Sequence, residues 1–141
     1  MSASAIRPLL FGSFDGLHPG HDALLRQAHE ALGVKVTVCL ALDEDIARRK
    51  GRAPKHVYSE RERQLRSHSL VAEVLPGDAT DGIYSAVTTL KPTHIFFGYD
   101  QGGLQDHLKK WLDEHQIAAQ LITLQPFEAG LYKSSIVNKR V

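Results

Sequence analysis

The sequence predicts an α/β fold in which one doubly wound parallel sheet of about five strands is covered by helices on both faces. Short apolar runs alternate with stretches of helical spacing along the chain. The apolar runs are nearly continuous instead of alternating, as in strands that are buried on both faces. No repeat or linker interrupts this pattern over 141 residues, so a single domain covering residues 1–141 is expected.

Five apolar runs are the candidate strands of this sheet. Right-handed crossovers between parallel strands would distribute the intervening helices over both faces. The candidate strands are Ile6–Phe11, Val34–Leu42, Ala72–Leu75, His94–Gly98 and Ala118–Leu124.

The first helix is predicted over Gly20–Leu32, where apolar residues form one stripe and Gly33 is a suitable stop. The segment Ser59–Glu62 is typical of a capping box and predicts another helix start. In Leu104–His115 the apolar residues, Trp111 among them, share one core-facing side. The remaining predicted helices are a short one from Asp43 or Asp45, Asp81–Leu90, and Ser134–Arg140.

Composition narrows the classes of function. A net charge of +1 provides no broad positive field, so neither nucleic acid nor a membrane surface is an expected partner. No apolar run approaches the roughly 20 residues that span a bilayer. Met1–Ala5 lacks the basic and apolar regions of a signal peptide, so a cytoplasmic location is expected. The only cysteine, Cys39, lies in an apolar run and is expected to be a small buried side chain.

The segment Gly12–His21 carries the strongest functional signal. It follows the first predicted strand, and ligands of such sheets bind beyond the carboxyl ends of strands. A helix beginning here would attract an anion through its unpaired N–H groups and its dipole. Gly12 would let a phosphate approach, and His18 and His21 can face the same side of the first turn. The pattern predicts a polyphosphate site, whereas a zinc site lacks a third ligand nearby.

The pattern Gly-x-Phe-Asp-x-x-His-x-Gly-His in this segment resembles the signature of the nucleotidyltransferase superfamily. Cytidylyltransferases, pantetheine-phosphate adenylyltransferase and archaeal-type FAD synthases belong to it, and the resemblance extends to Val141. It implies a Rossmann-like domain that transfers a nucleoside monophosphate from ATP or CTP to a phosphate acceptor and releases pyrophosphate. It also implies Mg²⁺ that arrives with the nucleotide triphosphate and needs no protein metal cluster.

The resemblance assigns roles to the residues of the loop. His18 and His21 would contact the triphosphate and stabilise charge during transfer, and Asp15 would lie near the acceptor. Taken by itself, Asp15 is also suited to orienting a histidine or capping a turn. The residues that would line the nucleotide pocket are Phe11, Gly12, Ser13 and Phe14.

The resemblance also assigns roles to two basic residues further along the chain. Lys50 lies in a stretch that resembles the family segment whose lysine touches the acceptor or the transferring phosphate. Arg63 aligns with a family arginine near the acceptor pocket. Asp43 is interpreted as a helix cap. The neighbouring basic residues Arg48, Arg49, Arg52, Arg61 and Arg66 are expected to be solvated.

The C-terminal third supplies the remaining predicted nucleotide contacts. Gly98 and Asp100 follow the fourth predicted strand, where the family has a Gly-x-Asp that contacts the nucleotide. Ser134 and Ser135 would open the last helix and hold phosphates, since serine is a natural N-cap. Glu128–Tyr132 lacks the arginine of the cytidylyltransferase version, which favours an FAD synthase-like enzyme.

The acceptor is the least constrained part of the prediction. FMN adenylyl transfer is the first hypothesis, a glycerol 3-phosphate cytidylyltransferase is the second, and a non-catalytic nucleotide-binding module is the third. A homodimer is also considered. Five aromatic residues are candidates for a flavin slot: Tyr58, Tyr84, Phe97, Phe127 and Tyr132. The other histidines are expected to be surface or packing residues: His29, His56, His68, His94, His107 and His115.

Overall fold

Five parallel strands form one sheet in the computed structural model, which describes residues 5–126. The order across the sheet is β3-β2-β1-β4-β5, and every pairing is parallel. The predicted doubly wound sheet is therefore confirmed, and the winding reverses between β1 and β4. The strands are β1 (Pro8–Gly12), β2 (Val36–Leu40), β3 (Val71–Pro76), β4 (His94–Phe97) and β5 (Gln120–Thr123).

Five helices lie in the four crossover segments that connect the strands between residues 5 and 126. None of these helices is long and apolar enough to cross a membrane. They are α1 (Pro19–Leu32), α2 (Asp43–Lys50), α3 (Tyr58–Arg66), α4 (Ser85–Leu90) and α5 (Gly102–Glu114). The predicted helix Ser134–Arg140 lies outside the described residues.

The caps of α2 and α3 and the start of α4 differ from the sequence prediction. The capping box at Ser59 does not form, because α3 already begins at Tyr58, with Val57 as an N-cap whose side chain makes no capping bond. Asp43 is the first residue of α2 and not its cap. Helix α4 begins at Ser85 instead of Asp81, because the Asp78 carboxylate accepts hydrogen bonds from the Ser85 backbone N–H at 2.8 Å and from its hydroxyl.

The sheet separates two apolar cores. Successive residues of a strand point to opposite faces, so Leu10 faces one core and Leu9 the other, and both are fully buried. The first core contains Leu25 of α1 and Leu65 of α3. The second core contains residues of α4 and α5, including Leu108. Full burial of such a leucine contributes about 1.5–3 kcal/mol, and the near-continuous apolar strands follow from the two-sided cover.

Arg61 is a fully buried charged residue within α3. Its guanidinium donates to the backbone carbonyls of Ser13 and His56, each at 2.9 Å, and to the Asp43 carboxylate at 2.6 Å. It also lies over the ring of Tyr58, 5.6 Å from the centroid. The expectation that Arg61 is solvated was wrong. Its side chain joins the loop after β1, the start of α2 and the loop before α3.

Replacing Arg61 by methionine is expected to lower the free energy of unfolding by about 3 kcal/mol. Two carbonyls lose their donors, and a buried polar group without a partner is costly. The loss of the ion pair with Asp43 contributes less to this destabilisation, because the Asp43 side chain is 41% exposed and water can solvate it. Urea denaturation measures the change.

Arg63→Met is the matched control, since the Arg63 side chain is 73% exposed and pairs only with Glu60 at 3.8 Å. That variant should change the free energy of unfolding by less than about 0.5 kcal/mol. Equal effects of the two substitutions would contradict the role given to Arg61.

Candidate active site

The loop between β1 and α1 is built on a contact between Gly12 and Phe14. A Cβ on Gly12 would lie 2.5 Å from Cε2 of the Phe14 ring, which is closer than atoms can approach. Phe14 is 3% exposed and has a φ of 43°, in the left-handed region. Its ring lies under His21, with centroids 4.8 Å apart. Phe14 therefore packs beneath the histidine pair, and it is not among the residues that line the cleft described below.

His18 begins helix α1 as its N-cap. Its Nδ1 accepts hydrogen bonds from the backbone N–H groups of Gly20 at 3.0 Å and His21 at 3.4 Å. Pro19 occupies the first helical position, one residue before the predicted start, and has no N–H. The expected free N–H groups at the helix end are thus already used within the chain. Because Nδ1 accepts, the proton of the neutral ring is on Nε2, which is the nitrogen left for a ligand.

His21 stacks on His18, with ring centroids 3.7 Å apart. Burial, followed by the charges of His18 and Lys50, lowers the pKa of His21 to about 4, and a backbone contact with Gly16 only partly opposes this. The His21 Nδ1 is buried and has no hydrogen-bond partner of good geometry within residues 5–126. At neutral pH His21 is therefore uncharged and carries an unused polar atom.

Lys50 is the last residue of α2 and is exposed. Its neighbours Arg48 and Arg49 are bound to Asp45, and Arg48 also reaches Asp81 at 2.9 Å. Lys50 has no ion-pair partner among the described residues, while its charge acts on His21. The structure thus brings Lys50 and the histidine pair into one electrostatic environment.

Asp15 is engaged within the protein. Its carboxylate accepts from the backbone N–H groups of Lys55 at 2.7 Å and His56 at 2.8 Å, and it pairs with the His56 ring at 3.2 Å. Burial alone would raise the Asp15 pKa, but these hydrogen bonds and the His56 charge lower it overall. Asp15 therefore orients a histidine, one of the two roles open to it from sequence.

A cleft of about 570 Å³ opens at the carboxyl ends of the strands. Gln101 connects the ends of β1 and β4, between which the winding of the sheet reverses. The Gln101 side chain accepts a hydrogen bond from Gly98 N–H at 2.7 Å and donates one to the Phe11 carbonyl at 3.2 Å. A Cβ on Gly98 would lie 3.1 Å from the Asp100 carboxylate, so this turn is closely packed. The lining includes predicted residues Phe11, Gly12, Ser13 and Asp100, together with Cys39, Ala41, Asp45, Arg49, Gly77, Asp78, Tyr84, Leu104 and His107.

Arg63 lies away from this cleft. It lines a separate hollow of about 600 Å³ between α3 and the loop before α1. This hollow and the cleft have no lining residue in common. Arg63 is on the exposed side of α3 whereas Arg61 faces inward, and Lys50 lines neither space, so the acceptor role of Arg63 stays a prediction.

The three aromatic residues of the flavin-slot prediction that lie within residues 5–126 do not converge. Tyr58 packs against the first core, whereas Tyr84 and Phe97 belong to the second core on the other face of the sheet. Phe97 is fully buried, and only Tyr84 of these three lines the cleft. Phe127, Tyr132, Ser134 and Ser135 lie outside the described residues.

Sequence reasoning missed the residues that hold the loops in place. Arg61 lies four residues before the buried Leu65 and therefore shares its helix face, which is a signal that was available. His56 pairs with Asp15, 41 residues away in sequence, and Gln101 bonds to Phe11, 90 residues away. No local pattern indicates such contacts.

The fold, the histidine pair and the switch-point cleft together define a nucleotidyltransferase. The chain belongs to the cytidylyltransferase-like family, which matches residues 9–140. The resemblance found in the sequence is thereby confirmed.

Within this family the chain is similar to FAD synthases. It is 36% identical over 137 residues to the FAD synthase of Thermococcus sibiricus, with 96% of this chain and 92% of that protein covered. It is 37% identical over 129 residues to the FAD synthase of Thermococcus kodakarensis, with 92% and 83% covered. The structure is similar to that of the lipopolysaccharide core biosynthesis protein from Thermoplasma volcanium, with a TM-score of 0.77, 25% identity, and 87% and 98% of the two chains covered.

Substituting Gly12 by alanine is expected to reduce nucleotidyl transfer at least about tenfold and to destabilise the fold by about 1–3 kcal/mol. The added methyl displaces the Phe14 ring, which supports His21. Pyrophosphate release and urea denaturation measure the two effects. Gly102→Ala is the control, because nothing lies within 4 Å of its Cβ position. Phe14→Leu in the Gly12→Ala background should recover part of the stability, and its failure to do so would contradict the contact.

His21 should titrate near pH 4, as monitored by NMR of its ring and assigned by loss of the signal in His21→Gln. The ordinary pKa of 6.5 applies to the unfolded chain. As the pH falls from 6.5 to 4, the unfolded state therefore binds a proton that the folded state does not. The free energy of unfolding of the parent protein should fall over this window relative to His21→Gln. A midpoint above pH 6 would contradict the burial of His21.

Proposed function

We propose that this protein is an FMN adenylyltransferase, which transfers AMP from ATP to FMN. A phosphate oxygen of FMN attacks the α-phosphorus of ATP, the bond from that phosphorus to the β-phosphate bridging oxygen breaks, and FAD and pyrophosphate are formed. The observation that carries the proposal is the position of Gly12 and Ser13. They line the cleft, and they also lead directly into the loop of the histidine pair. A nucleotide bound at the histidine pair and an acceptor bound in the cleft would therefore meet at Gly12 and Ser13.

The triphosphate of the donor nucleotide is assigned to the histidine pair at the start of α1. His18 Nε2 and His21 would donate to phosphate oxygens, and the positive end of the α1 dipole would add to the attraction. Lys50, free of partners among the described residues, would neutralise charge on the transferring phosphate as a mobile point charge. Such a reaction needs positioning and charge stabilisation but no nucleophilic side chain. Gly98, Asp100, Ser134 and Ser135 are the further nucleotide contacts that we propose from the family likeness.

The acceptor is assigned to the cleft. Phe11, Gly12 and Ser13, which the family likeness places in the nucleotide pocket, would then stand where the acceptor meets the nucleotide. The walls of the cleft combine aromatic and apolar surface, from Phe11, Tyr84 and Leu104, with polar groups that fix orientation, as small-molecule sites do. The similarity to FAD synthases supports FMN as the occupant. Asp15 would act on this reaction through His56 and the loop conformation, since its oxygens are already bonded.

Magnesium is proposed to arrive with the nucleotide. Within residues 5–126 no group of three or more His, Cys, Asp or Glu side chains is placed to hold a metal ion. Mg²⁺ commonly uses one or two carboxylates together with substrate phosphates, and Asp100 at the cleft is a carboxylate suited to this. When bound, the ion would neutralise charge on the phosphates.

We further infer that the enzyme works in the cytoplasm, where both nucleotides are available. We also propose that it acts as a homodimer, and light scattering of the purified chain tests the proposed assembly.

The substrate choice is tested by incubating the protein with Mg²⁺ and each pairing of ATP or CTP with FMN or glycerol 3-phosphate. Pyrophosphate release and FAD formation are expected with ATP and FMN. Release with CTP and glycerol 3-phosphate alone would overturn the proposal in favour of a cytidylyltransferase. Absence of release from every pairing would indicate a nucleotide-binding module.

His18→Asn should reduce kcat about 10²–10³-fold while leaving the protein folded. Asparagine keeps an N-cap acceptor for the helix but removes the Nε2 donor. His18→Ala, which lacks both groups, should lose similar activity and also about 1 kcal/mol of stability. The control is His29→Ala on the same helix, whose ring bonds only to the Val34 carbonyl. Full turnover in His18→Asn would exclude Nε2 from the reaction.

A further inference from the structure

Tyr84 has an unusual backbone conformation for its place in the fold. Four residues other than glycine have positive φ within residues 5–126: Phe14, Tyr84, Lys91 and Gln116. Lys91 and Gln116 follow the ends of α4 and α5, where left-handed residues are common. Phe14 supports the histidine pair. Tyr84 instead stands at the start of α4 with φ 52° and ψ 51°, where an extended conformation is usual.

Several contacts hold Tyr84 in this conformation, which costs about 1–3 kcal/mol. Its ring meets the Phe11 ring edge-on at 6.3 Å and the Trp111 ring at 5.3 Å. Its hydroxyl is 2.8 Å from Nδ1 of His107 on α5. The Asp78 carboxylate fixes the next residue, Ser85. Strain retained by this many contacts is typical of a residue placed for function.

Tyr84 and His107 both line the cleft, and Phe11 lies at its base. Burial, followed by the charge of Asp81, raises the Tyr84 pKa, so the hydroxyl stays protonated. Its hydrogen bond with His107 Nδ1 fixes the orientation of both rings and leaves Nε2 as the His107 nitrogen available to a ligand. The cleft wall thus combines a half-buried aromatic ring with an oriented imidazole.

We propose that Tyr84 and His107 form the recognition pair for the flavin ring of the acceptor. The flat ring system packs against Tyr84, and Nε2 of His107 forms a hydrogen bond with its polar edge. This inference rests on the proposed function and deepens it, since it assigns acceptor selection to the loop before α4 and to α5. The histidine pair and Lys50, which act on the phosphates, do not take part in this selection.

The test measures flavin fluorescence and FAD formation in three variants, with FMN varied at saturating ATP and ATP varied at saturating FMN. Tyr84→Leu should raise the KM for FMN about tenfold, because aromatic contact is lost, with the KM for ATP unchanged. It should also abolish the quenching of bound flavin that a stacked tyrosine causes. Tyr84→Phe and His107→Phe, which keep the aromatic ring at Tyr84 but break the hydrogen bond, should raise the KM for FMN a few-fold and retain the quenching.

Tyr99→Leu is the matched control, because Tyr99 is 63% exposed and does not line the cleft. An unchanged KM for FMN in Tyr84→Leu, with the parent protein making FAD, would overturn the recognition pair and leave the proposed function standing. A parent protein that makes no FAD would overturn both. If Tyr84→Leu does not fold, an unchanged KM for FMN in both Tyr84→Phe and His107→Phe overturns the pair.

Discussion

The buried guanidinium of Arg61 is the interaction on which the arrangement of the site depends. One side chain without solvent exposure binds the loop after β1, the start of α2 and the loop before α3. The first of these segments leads into the histidine pair, the second begins the helix that ends at Lys50, and the Asp15–His56 contact joins the first segment to the third. A charge removed from water is stable only with its hydrogen bonds complete. The three segments therefore keep one relative position or lose that stabilisation together.

Sequence reasoning predicted the parallel sheet and its cover of helices, because these follow from local patterns. Continuous apolar runs indicate strands covered on both faces, and the position of Gly12–His21 after β1 places the candidate site beyond the carboxyl end of that strand. Helix starts were predicted less well. Asp78 sets the start of α4 from seven residues away, and Val57 caps α3 without a side-chain bond. Contacts such as Gln101 with Phe11 join distant segments, and no local pattern encodes them.

The electrostatics of the site favour an uncharged histidine beside a charged lysine. Burial and neighbouring charge hold the pKa of His21 near 4, so its ring does not repel Lys50 at neutral pH. His18 Nδ1 accepts hydrogen bonds from the first turn of α1, which leaves Nε2 for a ligand. A triphosphate would thus meet positioned donors whose orientation is already fixed by the fold, which is the arrangement that stabilises a transition state at low reorganisation cost.

Cys39 gives the protein a chemical property beyond its packing. It is the only cysteine of the chain and is 6% exposed. Burial, with the charges of Asp78 and Asp45, raises its pKa to about 12. Only about one thiol in 10⁵ is then ionised at pH 7, and the thiolate is the form that reacts with oxidants and alkylating agents. With its sole sulfhydryl this unreactive, the protein is expected to need no added reductant against thiol oxidation or disulfide-linked dimers.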